Sequence, residues 1–168
     1  MKTLIKTISL LTLLLLGLAF VSCKDKDDNE ESLIVGAWQT GSRPLDEIEI
    51  THEVVTYLWY KKDGSFIYVD VITDTEDDRY LSYEFSDTGK WSVNGEYVTQ
   101  STNFQWDDPD RFDTDVLHFD VNGDILTLSI DYTSVDRQTI QLKRITEERM
   151  QDLYNAAKVY YHQQYPNK

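Results

Sequence analysis

The residues best suited to chemistry are aspartates crowded into one stretch of the second half of the chain. They are Asp107, Asp108, Asp110, Asp113 and Asp115. Crowded carboxylate oxygens suit calcium, but this stretch lacks the glycine and the distal glutamate of an EF-hand loop. We therefore predict a solvated acidic loop, with a calcium site as the alternative, and no resident cofactor.

The histidines His52, His118 and His162 are the remaining candidates for acid–base work. They fall on a predicted loop, strand and helix. The sequence has no Gly-x-Ser-x-Gly, no phosphate-binding glycine loop and no His-Glu-x-x-His. His118 alternates with Val116 and Asp120, so it could face a barrel interior. Without a nucleophile–base pair, we predict that the protein is not an enzyme.

Three tryptophans could stack on sugar rings if they were exposed. Trp59 and Trp91 lie on predicted strands, where core packing is the favoured interpretation. Trp106 lies in the acidic loop, where exposure and packing are both open.

Cys23 is the single cysteine, so an internal disulfide is excluded. It follows residues 1–22, which we predict to be a lipoprotein signal peptide, because they combine a positive start (Lys2 and Lys6) with an apolar run over residues 8–21 that is short for a bilayer span. Residues 20–23, Phe-Val-Ser-Cys, resemble a bacterial lipobox. That resemblance implies a diacylglycerol on the Cys23 thiol and acylation, for example by palmitate, of its new amino group, which would anchor the protein to a membrane.

Residues 24–32 read KDKDDNEES and hold no apolar side chain, so we predict a disordered tether over residues 23–32. An acidic run directly after a lipidated cysteine resembles the surface-export signal of Bacteroidetes lipoproteins. This implies an outer-membrane location with the domain outside the cell; a spacer on a periplasm-facing lipoprotein is the alternative. The formal net charge of −14 disfavours nucleic acid as a partner.

The rest of the chain alternates short β-type runs with turn signals, which predicts an all-β, up-and-down barrel of eight to nine strands over residues 33–145. The predicted strands are residues 33–40, 53–60, 65–73, 80–85, 90–93, 97–102, 115–121, 125–130 and 138–145. Residues 86–89 are a predicted turn, and Asn94-Gly95 and Asn122-Gly123 are predicted hairpin turns. Thr146 suits a helix N-cap, so a helix over residues 146–165 should close a mouth or lie across the exterior.

Several features in order resemble lipocalins, and more closely the lipocalin-like domains of Bacteroidetes lipoproteins. They are Gly-x-Trp at residues 36–38, the hairpin sequence GKWSVNG at 89–95, Leu-Lys-Arg at 142–144 and the C-terminal helix. The resemblance covers residues 33 to about 161. It implies that Gly36 allows close backbone packing, that Trp38 plugs the closed end, and that the Arg144 guanidinium lies over the Trp38 ring.

The resemblance implies a ligand-binding lumen, and we predict that the barrel binds a small apolar or amphipathic molecule or a glycan fragment. Strand alternation suggests Tyr57, Trp59, Tyr68 and Tyr83 as its lining. The many aromatics of the interior allow the alternative of a filled barrel that docks onto another envelope protein.

Overall fold

A computed structural model describes residues 27–44, 52–75, 80–103, 112–131 and 137–166. These residues form two helices, α1 (Asp27–Ile34) and α2 (Glu147–Gln164), and nine strands. The strands are β1 (Gly36–Thr40), β2 (Arg43–Pro44), β3 (His52–Tyr60), β4 (Ser65–Asp74), β5 (Tyr80–Asn94), β6 (Tyr97–Asn103), β7 (Phe112–Asn122), β8 (Ile125–Asp131) and β9 (Arg137–Ile145). Neither helix is long and apolar enough to cross a bilayer within the described residues.

The strands close into an antiparallel barrel. From β3 to β9 each strand pairs with its successor, and β1 pairs with β9 on one side and β3 on the other. Eight strands therefore form the closed wall, while β2 adds two residues beside β3. The predicted all-β barrel with a C-terminal helix is confirmed.

The two predicted Asn-Gly turns connect adjacent strands. Gly95 (φ 58°) joins β5 to β6, and Gly123 (φ 62°) joins β7 to β8. Both glycines take the left-handed conformation, which costs glycine little because it has no Cβ. The short connections fix the register of both hairpins.

The chain before the barrel differs from the predicted disordered tether. Helix α1 runs from Asp27 to Ile34, and β1 begins at Gly36 rather than at residue 33. Ile34 is fully buried, so the helix has an apolar anchor that the charged composition of residues 24–32 did not reveal.

Residues 86–89 do not form the predicted turn. β5 continues through them, and its ladder with β4 shifts register between Phe66 and Tyr68. A β-bulge accommodates the extra residues without ending the strand. At Gly89, an added Cβ would lie 2.8 Å from the Phe66 carbonyl oxygen, so glycine is needed for this close approach.

Two apolar layers form on opposite faces of the wall. The inner layer takes side chains from β1 and from β3 through β9, and these can meet only inside the barrel. The outer layer places Met150 and Ala157 of α2 against β1, β3, β4 and β5. The Thr146 hydroxyl accepts a hydrogen bond from Arg149 N at 3.2 Å, which confirms the predicted N-cap of α2.

Candidate functional site

One end of the barrel is closed by Trp38, which is fully buried. The Arg144 guanidinium carbon lies 4.0 Å from the centre of the Trp38 ring, and the two residues are directly paired across β1 and β9. This is the stacking and cation–π contact that the sequence resemblance implied.

The same two side chains bind the end of α1. Arg144 donates from Nη1 to the Val35 carbonyl (3.0 Å) and from Nη2 to the Leu33 carbonyl (3.1 Å). Trp38 Nε1 donates to the Ile34 carbonyl at 2.9 Å. Carbonyls at a helix C-terminus have no partner within the helix. Arg144 and Trp38 supply those partners, so α1 and the barrel end form one hydrogen-bonded unit.

Gly36 makes room for Arg144. Its φ is 137°, and an added Cβ would lie 2.4 Å from Arg144 Nη1. We expect Gly36→Ala to lower the free energy of unfolding by about 2 kcal/mol, because the alanine is strained and displaces the guanidinium. Chemical denaturation measures this effect.

Gly41→Ala is the matched control for Gly36→Ala. An added Cβ at Gly41 meets nothing within 4 Å, so its stability should stay within about 0.5 kcal/mol of the wild type. Equal stabilities of the two variants would contradict the role of Gly36.

Aromatic side chains fill the lumen next to Trp38. The Tyr60 ring lies 4.9 Å from Phe66 and meets Trp91 edge-on at 5.5 Å. The Tyr60 hydroxyl donates to Gln100 Oε1 at 2.8 Å, and Trp91 Nε1 donates to the Lys61 carbonyl at 2.9 Å. This half of the barrel is packed by its own residues.

The other half of the lumen holds a cavity of about 200 Å³. Its floor is aliphatic: Leu58, Leu117, Leu128 and Leu142. Along β3, the inward positions are Tyr60, then Leu58, then Thr56. Tyr60 belongs to the aromatic cluster, whereas Leu58 and Thr56 line the cavity. The cavity therefore lies farther from Trp38 than the aromatic cluster, towards the opposite end of the barrel. We call that end the mouth.

One wall of the cavity carries a polar network. Arg43 Nη2 donates to Thr56 Oγ1 at 3.3 Å, and Thr56 N donates to Thr40 Oγ1 at 2.9 Å. The Tyr68 hydroxyl donates to Asp70 Oδ2. These contacts hold Thr40, Thr56 and Tyr68 in place as cavity lining.

Asp70 is a buried acid at an inward position of β4 next to this network, with 7% of its surface exposed. Burial raises the pKa of Asp70, while hydrogen bonds from Thr56 and Tyr68 and the charge of Arg43 oppose that rise. Burial and the nearby Asp70 also raise the pKa of the Tyr68 hydroxyl. Asp70 Oδ1 has no hydrogen-bond partner among the described residues. The carboxylate form is therefore incompletely stabilised.

The raised pKa of Asp70 predicts a pH dependence of stability. An acid whose pKa is higher in the folded state stabilises the fold at low pH and loses that contribution as the pH rises through the folded-state pKa. We expect Asp70→Asn to be at least as stable as the wild type at pH 7, and the difference to shift in favour of the wild type as the pH falls to 4. Urea denaturation across this range measures it.

The exposed Asp120→Asn, on the outer face of β7, controls for the change in net charge. An Asp70→Asn advantage that grows on acidification would contradict the predicted direction.

The four predicted lining residues separate onto two faces. Tyr68 lines the cavity. Tyr57, Trp59 and Tyr83 instead belong to the outer layer beneath α2, where Tyr83 lies 5.6 Å from Tyr160. Their assignment to the lumen is thus corrected: α2 covers the outer face, so aromatic residues are buried on both sides of the wall.

Two of the five predicted metal candidates, Asp113 and Asp115, belong to the described residues. Asp107, Asp108 and Asp110, together with Trp106 and Cys23, lie outside the described residues. Asp113 and Asp115 lie on β7, and Asp115 lines the cavity. Within the described ranges, no group of three His, Cys, Asp or Glu side chains is arranged to hold a metal ion.

His118 lies on the outer face rather than in the lumen. It is paired with Tyr97 and Ser129 across β6 and β8, and its Nε2 lies 3.4 Å from Glu96 Oε2. The inward positions of β7 are those of Leu117 and Phe119.

Sequence reasoning missed Arg43 and Asp70 as residues of this site. Asp70 carried a usable signal: it is a lone charge in the apolar run of β4 and shares the alternation of Phe66 and Tyr68. Arg43 carried none, because β2 spans only Arg43–Pro44 and its composition is that of a loop.

Comparison with known proteins does not assign the chain to a family. No protein-family model and no curated protein matches the chain. A functional interpretation therefore depends on the geometry of the barrel.

Proposed function

We propose that the protein is a non-enzymatic, lipid-anchored envelope protein whose barrel binds a small amphipathic molecule in the lumen. The observation that carries this proposal is the 200 Å³ cavity with a leucine floor and one polar wall. Binding sites of this kind combine a mostly apolar lining with a few fixed polar groups.

The cavity volume limits the size of the ligand. Cavities of about 150 Å³ accept benzene. A space of 200 Å³ suits a molecule only slightly larger, with an apolar body and one or two polar groups. Because Ile130 and the partly exposed Ile140 also line the cavity, an apolar body fits the lining better than a glycan fragment with many hydroxyls.

The membrane anchor and the lipocalin-like family are supported by the sequence pattern around Cys23 and by the closed end. A closed eight-stranded barrel with Arg144 stacked on Trp38 agrees with what the lipocalin resemblance implied. With Cys23 acylated, the proposed location is the outer membrane, on its external face.

A titration with isoamyl alcohol tests the binding proposal. We expect chemical-shift changes at Leu58, Leu117 and Leu128 in NMR spectra of the isotope-labelled protein. Ile140→Trp should weaken binding at least tenfold, because Ile140 lines the cavity and a larger ring would occupy it.

Ile125→Trp is the matched control, since Ile125 is exposed on the outer face. Equal binding by both tryptophan variants would overturn the lumen as the site.

A second candidate function is docking onto another envelope protein. Exposed apolar side chains favour it: Val116 is 59% and Tyr97 48% exposed on the outer face of β6 and β7, away from α2. A defined complex that survives purification and is lost on Val116→Asp would support this function. A Val116→Asp variant that retains the complex would exclude this face.

A further inference from the structure

The mouth of the cavity carries opposite charges on opposite walls. Arg43 and Asp115 both line it. Arg43 extends the wall at β3, and Asp115 lies on β7. In the closed order of strands, β3 and β7 are four strands apart in either direction, so the two residues face each other across the lumen.

The Arg43 side offers hydrogen-bond donors. A guanidinium has five N–H groups, and Nη2 donates to Thr56 Oγ1. The Thr56 and Tyr68 hydroxyls both donate to Asp70, so among the described residues of this wall Arg43 supplies the remaining side-chain donors. Arg43 keeps N–H groups in excess of these partners.

The Asp115 side offers an acceptor. Within the described residues, the Asp115 carboxylate forms no ion pair. Its cross-strand neighbour Gln100 also lines the cavity, but the Gln100 Oε1 atom accepts from Tyr60. Asp115 therefore keeps its charge available to a cation at the mouth.

We propose that the ligand is a small zwitterion with an aliphatic body, such as an amino acid of leucine size. Its carboxylate would bind the Arg43 guanidinium, its ammonium would bind Asp115, and its alkyl chain would lie on the leucine floor. This inference rests on the proposed function, because it assigns a chemical class to the molecule in the same lumen.

Leucine, isocaproate, isoamylamine and isoamyl alcohol share a branched alkyl body, so they separate the head-group contributions, and ε-aminocaproate is a second zwitterion with a linear chain and its charges at opposite ends. Leucine and ε-aminocaproate carry both charges, isocaproate only the carboxylate, isoamylamine only the ammonium, and isoamyl alcohol neither. NMR titration of the wild type should give an affinity for one of the zwitterions at least tenfold higher than for each of the other three.

Two substitutions assign the contacts. Arg43→Gln should reduce the affinity for that zwitterion at least fivefold and leave isoamylamine binding unchanged. Asp115→Asn should reduce it similarly and leave isocaproate binding unchanged. Lys143→Gln and Asp120→Asn, exposed on the outer face, are the charge-matched controls and should have no effect.

The results distinguish the two levels of the proposal. If isoamyl alcohol bound as tightly as both zwitterions, the proposal that the ligand is a zwitterion would be overturned. The lumen would remain a binding site. A preference for zwitterions that neither Arg43→Gln nor Asp115→Asn alters would also overturn it. Failure of all five probes to bind would overturn the proposed function itself.

Discussion

Replacement of Trp38 by alanine is expected to lower the free energy of unfolding by about 4 kcal/mol. Trp38 is fully buried among residues of the inner apolar layer, so the truncation opens a large cavity at the closed end. It also removes the surface on which Arg144 stacks and the Nε1 donor to the Ile34 carbonyl. Urea denaturation followed by circular dichroism measures the loss.

Tyr97→Ala is the matched control for Trp38→Ala. Tyr97 is an aromatic residue of the same barrel, but 48% of its surface is exposed, so its loss should cost no more than about 1 kcal/mol. Trp38→Phe keeps most of the side-chain volume but loses the hydrogen bond to the Ile34 carbonyl, so we expect an intermediate loss of stability. If Trp38→Ala were as stable as Tyr97→Ala, Trp38 would not be the residue that closes the barrel.

Arg144→Ala is expected to cost about 3 kcal/mol, the second largest effect. The substitution removes two charge-assisted hydrogen bonds to the end of α1 and the cation–π contact with Trp38. It also leaves the Val35 and Leu33 carbonyls without these donors. Loss of α1 protection should accompany the loss of stability, which hydrogen exchange at residues 31–36 measures.

Lys143→Ala tests whether the effect belongs to Arg144 or to any basic residue of β9. Lys143 is the adjacent residue and its side chain is exposed on the other face, so its loss should stay within about 0.5 kcal/mol. Arg144→Lys retains the charge but cannot bind both carbonyls with one planar group. Full stability of Arg144→Lys would assign the effect to charge alone.

The barrel was predictable from local sequence signals, but which strand residues face its lumen was not. Asn94-Gly95 and Asn122-Gly123 specify tight turns through the conformational freedom of glycine, and the strands between such turns alternate. On β3, however, every residue from Thr56 to Tyr60 is buried, because α2 covers the outside of that strand. Alternation between buried and exposed residues therefore disappears where the helix packs, and Tyr57 and Trp59 could not be told from lumen residues.

Two local patterns were overridden by tertiary contacts. Residues 86–89 have the composition of a turn, but pairing with β4 on one side and the contact of Gly89 with Phe66 keep the strand continuous. The charged residues at the start of α1 indicate disorder on composition, but Ile34, Trp38 and Arg144 secure the end of the helix. In both cases the contacting residues lie outside the segment, so the sequence pattern of the segment alone does not predict the contact.

The attachment of α1 to the closed end determines how the protein would stand on a membrane. Four peptide links separate Cys23 from Asp27 and reach at most about 14 Å. With the roughly 12 Å length of α1 added, an acyl group on Cys23 would hold the Trp38 end within about 26 Å of the lipid headgroups. Strands the length of β7, tilted as in other barrels, place the opposite end of the barrel roughly 25 Å beyond the Trp38 end. Solutes would then enter from the surrounding water, and lipids of the supporting bilayer would have no direct route inside.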